Sequence, residues 1–184
     1  MDFLDFEGED LYFDAPLSGE LEQLLQQAAD AYPARDSESL LLRSYFLEPE
    51  NLTVLVALYR YYYYQHRYDD ALMVSERALN AAGRMLGFDD GWRALRLREL
   101  GYGVMVSMGL TRFYLLALKA SAFLLLRIDD PDRARERLDK LEELDPNDQF
   151  RSHFLRELSA RGQADDRALH PVPEDAAGVV SMSY

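Results

Sequence analysis

The clearest pattern of apolar and polar positions lies in the first half of the chain, where it predicts a helical hairpin. Leu55, Leu58 and Tyr62 recur at intervals of three and four residues, which is the spacing of one buried face of an α-helix. A second apolar face follows, and its buried positions are small. We therefore predict helices over residues 52–64 and 69–82 that pack closely against each other.

This hairpin resembles a tetratricopeptide repeat (TPR), a unit of about 34 residues built from two helices. The residues that carry the resemblance are Pro49, Leu55, Leu58, Tyr59, Tyr62, Ala71, Ser75 and Ala78, with Gln65-His66-Arg67 as the turn. Tyr59 stands where the family has a very small residue, and Ser75 stands where it has an aromatic one. We therefore expect this repeat to pack more loosely, or against an unusual neighbour.

Two further stretches match the same pattern. A second copy covers residues 115–148, through Leu118, Ala122, Leu125, Ala134 and Leu138. Its internal turn is predicted at Asp129-Asp130-Pro131, with Asp130 as the helix cap and Pro131 at the first helical position. A weaker copy covers residues 18–51 and predicts helices over residues 19–32 and 37–46.

The resemblance implies an all-α fold, a right-handed α-solenoid of TPR-like helix hairpins with about seven or eight helices. We predict an acidic, aromatic arm over residues 1–16, a helical domain over residues 17–161 and a flexible tail over residues 162–184. The domain ends in a capping helix over residues 147–161. The apolar face of that helix is predicted to carry Phe150, Phe154, Leu155 and Leu158.

An atypical insert is predicted over residues 84–110, between the two better repeats. One helix is expected to begin near Trp92 and to end at a break formed by Gly109-Leu110-Thr111. Gly101 and Gly103 each lower its helix propensity by about 1 kcal/mol relative to Ala, which favours a bend or a close helix contact there.

Charge and composition narrow the classes of function. The formal net charge is −13, which argues against general nucleic-acid binding and favours a partner with a basic surface patch. The chain contains no cysteine, so a disulfide framework, a thiolate nucleophile and a cysteine-ligated metal are excluded. The acidic N-terminus carries no Lys or Arg, the reverse of a secretory leader, and we expect a cytoplasmic protein.

The segment from Val104 to Leu126 is apolar over about the length of a membrane span. Arg112 and Lys119 interrupt it, and each charge costs about 2.5–3.5 kcal/mol at the centre of a membrane helix. We therefore predict no membrane association, and the alternative use of this apolar stretch is to bury a homodimer interface.

No pattern of catalytic or metal-binding residues emerges from the sequence. His66, His153 and His170 are far apart, and a metal site needs three or four converging ligands. No Gly-rich phosphate loop and no nucleophile elbow occurs. We predict a protein that is not an enzyme and has no cofactor, no metal and no catalytic residue.

The TPR resemblance implies a concave groove lined by the first helix of each repeat. The predicted groove residues are Val56, Arg60, Tyr63, Tyr64, Leu116, Lys119, Phe123 and Arg127. Tyrosine suits binding because it offers a broad apolar face with a polar tip. Alternatively, the extra tyrosines of residues 59–64 pack under Trp92 and the insert. The basic side chains suit a carboxylate-bearing peptide, or they pair with nearby acids such as Asp129.

These features predict non-enzymatic binding of another protein, as an adaptor or assembly factor. The opening Met1-Asp2-Phe3-Leu4-Asp5-Phe6, the tyrosine-rich repeat and the size resemble small acidic TPR proteins that accompany bacterial nitrogen-fixation systems, which implies a nitrogenase accessory role. The alternatives are a type III secretion-type TPR chaperone and a self-assembling module, which includes a homodimer. A further hypothesis is that the acidic arm occupies the groove of its own chain or of a second copy.

Overall fold

The computed structural model describes residues 17–32, 35–150 and 152–157, and these residues are all-α, with no strand among them. The helices are α1 (Gly19–Ala31), α2 (Arg35–Leu47), α3 (Leu52–Tyr64), α4 (Tyr68–Leu86), α5 (Gly91–Ala94), α6 (Leu97–Val106), α7 (Met108–Arg127) and α8 (Pro131–Leu144). Residues 152–157 form a further helical segment. The predicted arm and tail, together with residues 158–161 of the predicted capping helix, lie outside the described residues.

Several helix boundaries follow from side-chain caps that are visible in the sequence. Asn51 accepts hydrogen bonds from the backbone N–H groups of Thr53 and Val54, at 3.0 and 3.3 Å, and so begins α3. Asp130 accepts one from the N–H of Arg133 at 3.2 Å at the start of α8. These bonds satisfy backbone donors that the first turn of a helix leaves open. The predicted turn at Asp129-Asp130-Pro131 is confirmed.

The described helices pack mainly against their neighbours along the chain, in the hairpins α1–α2, α3–α4 and α7–α8. Between hairpins, α2 packs against α3, and α4 packs against α7. Tyr63 near the end of α3 contacts Phe123 in the second half of α7, whereas Gly83 near the end of α4 lies against Tyr114. Consequently α3 and α7 run parallel, and α4 runs antiparallel to both.

The core forms where the predicted apolar faces meet. Leu55, Leu58 and Tyr62 of α3 are buried, as predicted. The helix α4 packs against both α3 and α7, and six of its ten buried residues are small: Ala71, Ser75, Ala78, Ala81, Ala82 and Gly83. Ser75 is fully buried and its hydroxyl donates to the Leu72 carbonyl at 2.9 Å, so its polar atom is satisfied within the helix.

The insert differs from its prediction. The helix expected from Trp92 is interrupted after α5, and the break expected at Gly109-Leu110-Thr111 lies inside α7, so that prediction is wrong. The chain breaks instead at Ser107, whose side chain accepts from the N–H of Leu110 at 3.2 Å and caps α7. The predicted close contact at Gly103 is confirmed, because its backbone packs against Phe88.

Polar contacts attach the insert to α8. Arg93 donates two hydrogen bonds to Glu136, at 2.6 and 2.9 Å, and the Lys140 ammonium donates to the Leu95 carbonyl at 3.2 Å. The buried Arg137 lies 5.2 Å from the ring centroid of Trp92. The insert is therefore fixed along α8 through exposed ion pairs and one aromatic contact.

A buried guanidinium joins three helices behind this attachment. Arg137 of α8 donates to the Ser121 hydroxyl of α7 at 2.9 Å and pairs with Glu76 of α4. Burial lowers the pKa of Arg137, and Glu76 opposes that effect. Such a pair holds the helices in one arrangement, because separating them would leave a buried charge without compensation.

One helix of the described ranges, α7, is long and apolar enough to cross a membrane by length and composition. In the most apolar stretch of α7, 72% of the residues are buried inside the fold. Within the residues described here, α7 is thus a core helix that packs against α4, α6 and α8.

The segment after α8 was predicted to bury one apolar face, and the structure confirms this only in part. Leu155 is buried, as predicted, but Phe154 is 51% exposed. Asp145 accepts from the N–H of Phe150 at 2.8 Å, which holds the connection from α8 to this segment.

Candidate binding surface

The residues predicted to line a groove are distributed over three levels of burial. Val56 is 6% exposed and belongs to the core, and Lys119 is 7% exposed. Tyr63, Leu116 and Phe123 are half-buried, while Arg60, Tyr64 and Arg127 are exposed. Val56 and Lys119 are therefore both buried, although Lys119 lines the cleft described below, and the other six residues lie at or near the surface.

An aromatic cluster brings the ends of α3 and α7 together. The ring centroids of Tyr63 and Phe123 are 6.2 Å apart, and those of Tyr63 and Tyr68 are 6.0 Å apart. Arg127 donates to the Tyr68 hydroxyl at 2.8 Å and lies 4.8 Å from the centroid of that ring. Three of the predicted groove residues, Tyr63, Phe123 and Arg127, thus meet in one cluster, and Tyr68 is an additional member from outside the predicted groove set.

The same face of α7 continues away from this cluster. Arg112, Leu116, Lys119, Phe123 and Arg127 are spaced by four, three, four and four residues, so they form one stripe on a helix. Together with Arg60, Tyr63 and Tyr64 of α3, this stripe defines what we call the α3–α7 surface.

A cleft lies beside the N-terminal half of the stripe. Its volume is about 1000 Å³, and it is enclosed by α6, α7 and the residues that follow α8. Apolar side chains line most of it, with Val104 and Met108 on one side and Leu116 on the other, while Arg112 and Lys119 add two positive charges and Asp145 adds one carboxylate. We call it the α6–α7 cleft; it suits a ligand that is apolar with negatively charged groups.

The tyrosine run is divided between core and surface. Tyr59, Tyr61 and Tyr62 are buried, Tyr63 is half-buried, and Tyr64 is 45% exposed. Tyr63 packs on Phe123 of α7, while Trp92 packs against Arg93 and Arg137. These contacts place Trp92 of the insert next to arginines and Tyr63 next to Phe123 of α7.

An exposed apolar surface lies on α6 and continues to the start of α7. Leu97, Tyr102, Met105 and Val106 are 51 to 84% exposed, and Met108 at the start of α7 is 70% exposed. The sequence signal is the absence of charged side chains from residues 104–108, which lie in the apolar stretch named above as a possible dimer interface. Contiguous exposed apolar residues of this kind mark interaction sites in many proteins.

Electrostatic pairing is strong at the turn between α3 and α4. Arg67 forms ion pairs with Glu38 and Asp70, both at 2.7 Å, and its guanidinium lies 4.5 Å from the centroid of the Tyr62 ring. Hydrogen bonds to these carboxylates raise the pKa of Arg67 against the opposing effect of burial. Burial raises the pKa of Tyr62 to about 12, with Glu38 adding to the shift. This arrangement fixes the turn and leaves its charges compensated.

The residues that the structure describes contain no group of three or more His, Asp or Glu side chains placed to hold a metal ion. His66 lies in a turn with φ of 57°, and its Nδ1 is 2.9 Å from the Tyr68 hydroxyl. His153 is exposed, 3.5 Å from Glu142, and His170 lies outside the described residues.

The fold and this surface define an all-α protein whose helices bring aromatic, apolar and basic side chains to one face. No family model and no solved structure matches the chain. The chain is 37% identical, over 165 residues, to a protein of Azotobacter chroococcum mcd 1 described as an uncharacterized 19.8 kDa protein in the nifW 5′ region. The match covers 90% of this chain and 92% of that relative. The chain belongs to the family of that protein, and the location of the relative links the family to nitrogen fixation.

Proposed function

We propose that this protein is a non-enzymatic accessory factor of nitrogen fixation that binds a partner protein, with nitrogenase components as the candidate partners. The location of the relative beside a nif gene supports the biological setting. The observation that carries the binding role is the α3–α7 surface, where Tyr63 meets Phe123 and basic side chains border an apolar cleft. Aromatic and arginine side chains of this kind are enriched among residues that dominate binding energy.

We also propose that the hairpins stack as a right-handed, TPR-like solenoid in which the α3–α7 surface is the groove. The protein is proposed to be cytoplasmic. The packing of each hairpin on the next supports this arrangement, as does the parallel course of α3 and α7. Solenoids leave one broad face free for a partner, since stacking occupies only the sides of each repeat.

The test uses the full-length chain as bait in cells grown under nitrogen-fixing conditions. Native protein is expected to capture a nitrogenase component or a maturation factor, identified by mass spectrometry. The variant Arg60→Glu with Tyr64→Ala changes two exposed side chains of the surface and should lose most of that capture. Arg43→Glu is the matched control, because Arg43 is an exposed arginine of α2, 66% exposed and paired only loosely with Glu20 at 3.6 Å. Equal capture by both variants would contradict the proposal.

A second candidate function is self-assembly, which the exposed apolar residues of α6 favour. Burying a side chain such as Met105 in an interface between two copies contributes about 1.5–3 kcal/mol. Light scattering over a range of concentrations tests this, and Met105→Ser should then lower the apparent mass. A native protein that stays monomeric at all concentrations would exclude it.

A further inference from the structure

The α3–α7 surface concentrates positive charge in a chain whose net charge is −13. Arg60, Arg112 and Arg127 are exposed on it, and Lys119 lies at the edge of the cleft. Aromatic rings lie between these cations, with Tyr63 and Phe123 in contact. A ligand that complements this surface carries carboxylates and apolar or aromatic side chains together.

We propose that residues 1–16 of the same chain are the ligand that occupies the α3–α7 surface and the adjoining α6–α7 cleft. The proposal rests on the binding role of that surface stated above. The segment contains six acids and no Lys or Arg, together with aromatic and leucine side chains. The acids are Asp2, Asp5, Glu7, Glu9, Asp10 and Asp14, and the aromatic residues are Phe3, Phe6, Tyr12 and Phe13. Its composition is therefore the complement of the surface in both charge and apolar character.

The point where the described chain begins places this segment within reach. The Ser18 hydroxyl donates to Glu48 at 3.3 Å, and Asn51, the cap of α3, donates to the same carboxyl group at 2.7 Å. Residue 17 therefore lies at the end of the molecule where α3 begins. Because α3 and α7 run parallel, α7 begins at that end too.

The distance to be covered is less than the length of the segment. Three helix-to-helix steps, from α1 to α3, from α3 to α4 and from α4 to α7, amount to about 30 Å at about 10 Å per step. Sixteen extended residues span up to about 53 Å, at about 3.3 Å per residue. The segment can therefore cross to α7 and follow the stripe from Arg112 toward Arg127.

Tethering makes even a weak contact effective. A segment joined to its own site by a short flexible linker has an effective concentration in the millimolar range. A partner that uses the same surface must then displace the segment, so the segment sets a threshold for partner binding. The same chemistry defines the class of partner element that competes best, an acidic peptide segment with aromatic residues.

Distance measurement between two spin labels tests the proposal in the full-length chain. The chain contains no cysteine, so Gly8→Cys and Met105→Cys provide a unique pair of labelling sites. Met105 is 84% exposed, beside the cleft on α6, so a label there leaves the core intact. We expect a narrow distance distribution in this protein, and a broad one when Arg60→Glu and Arg112→Glu are added. Arg43→Glu, on α2, is the control and should keep the distribution narrow.

Three results would overturn the inference. These are a broad distribution without the added substitutions, a narrow one that persists with Arg60→Glu and Arg112→Glu, and equal broadening by Arg43→Glu. Capture of nitrogenase components separates this inference from the proposed function. Neutralising the six acids by Asp→Asn and Glu→Gln should increase capture severalfold if both hold. If the distance distribution is broad while capture is intact and still depends on the α3–α7 surface, only the role of residues 1–16 is rejected. If the distribution is narrow but no nitrogenase component is captured, only the proposed partner is rejected.

Discussion

Two glycines of α6 allow a matched test of how the insert packs. An alanine Cβ at Gly101 would have no atom within 4 Å, so the exposed site has room for it. An alanine Cβ at Gly103 would lie 2.5 Å from Cζ of Phe88 and 3.1 Å from the Thr111 hydroxyl oxygen. The two substitutions are chemically identical, and they differ only in what the new methyl group meets.

The two substitutions are expected to change stability by different amounts. Gly101→Ala should stabilise the protein by about 1 kcal/mol, because alanine loses less backbone entropy in a helix. Gly103→Ala gains the same amount but incurs an overpacking cost of about 1–3 kcal/mol. The Phe88 ring cannot move freely, since it is 8% exposed and packs edge-on against Tyr114 with centroids 5.2 Å apart. The two variants should therefore differ by about 1–3 kcal/mol.

Urea denaturation of both variants measures this difference, and thermal melting provides a check. A change of 1 kcal/mol shifts Tm by about 2–4 °C in a chain of this size. Adding Phe88→Ala should remove the penalty specific to Gly103→Ala, because the two changes share one contact. Equal stabilisation by Gly101→Ala and Gly103→Ala would show that the Gly103–Phe88 contact does not form, and the reasoning would then fail.

Three other outcomes are expected. Glu76→Gln should lower the free energy of unfolding, measured in urea, by about 2–3 kcal/mol, because the buried positive charge of Arg137 then loses the negative charge of its partner. Glu50→Gln breaks an exposed pair with Arg84 and should cost less than about 1 kcal/mol. A comparable loss in both would reject the distinction. The free energy of unfolding should fall between pH 10 and pH 12, and Tyr62 should contribute about 1.4 kcal/mol of that fall per pH unit. The reason is that the pKa of Tyr62 is about 12 in the folded state and 10.0 in the unfolded state, so its stabilising contribution is complete below pH 10 and is lost as the pH rises. The variant Tyr62→Phe lacks this group and should have a shallower pH profile. Ser107→Ala should cost about 1 kcal/mol and increase amide hydrogen exchange at the start of α7, and unchanged exchange would reject its role as cap.

Local sequence signals were sufficient to predict most helices, because helix caps and the helical period act between residues that lie within about one turn of each other. The stripe of Leu55, Leu58 and Tyr62 needs only the 3.6-residue period, and Asp130 followed by Pro131 begins a helix wherever it occurs. The all-α class and the bounds of α3 follow from such signals alone. The solenoid and the groove stay predictions, since they depend on how hairpins stack.

The insert was predicted less well because its structure depends on distant residues. A glycine-containing triplet looked like the stronger break, yet Ser107 ends α6 by capping the next helix. The close contact of Gly103 with Phe88 joins residues that no periodic pattern relates. Burial on the predicted groove face also escaped the sequence: Val56 and Arg60 lie one turn apart, and neighbouring helices decide that one is covered and the other exposed.

Apolar residues of α6 and the start of α7 belong to one site with the cations of α7 because they line the same cleft. Val104 and Met108 are 41% and 70% exposed, and covering side chains of this size contributes about 1.5–3 kcal/mol each. Exposed ion pairs with Arg112 contribute less, about 0–1 kcal/mol each, but they depend on position and on salt. A ligand in the cleft should therefore owe most of its affinity to α6 and its orientation to α7. This division explains how an acidic chain can select an acidic segment, since the apolar contacts offset the repulsion from the rest of the chain, whose net charge is −7 without the six acids of residues 1–16.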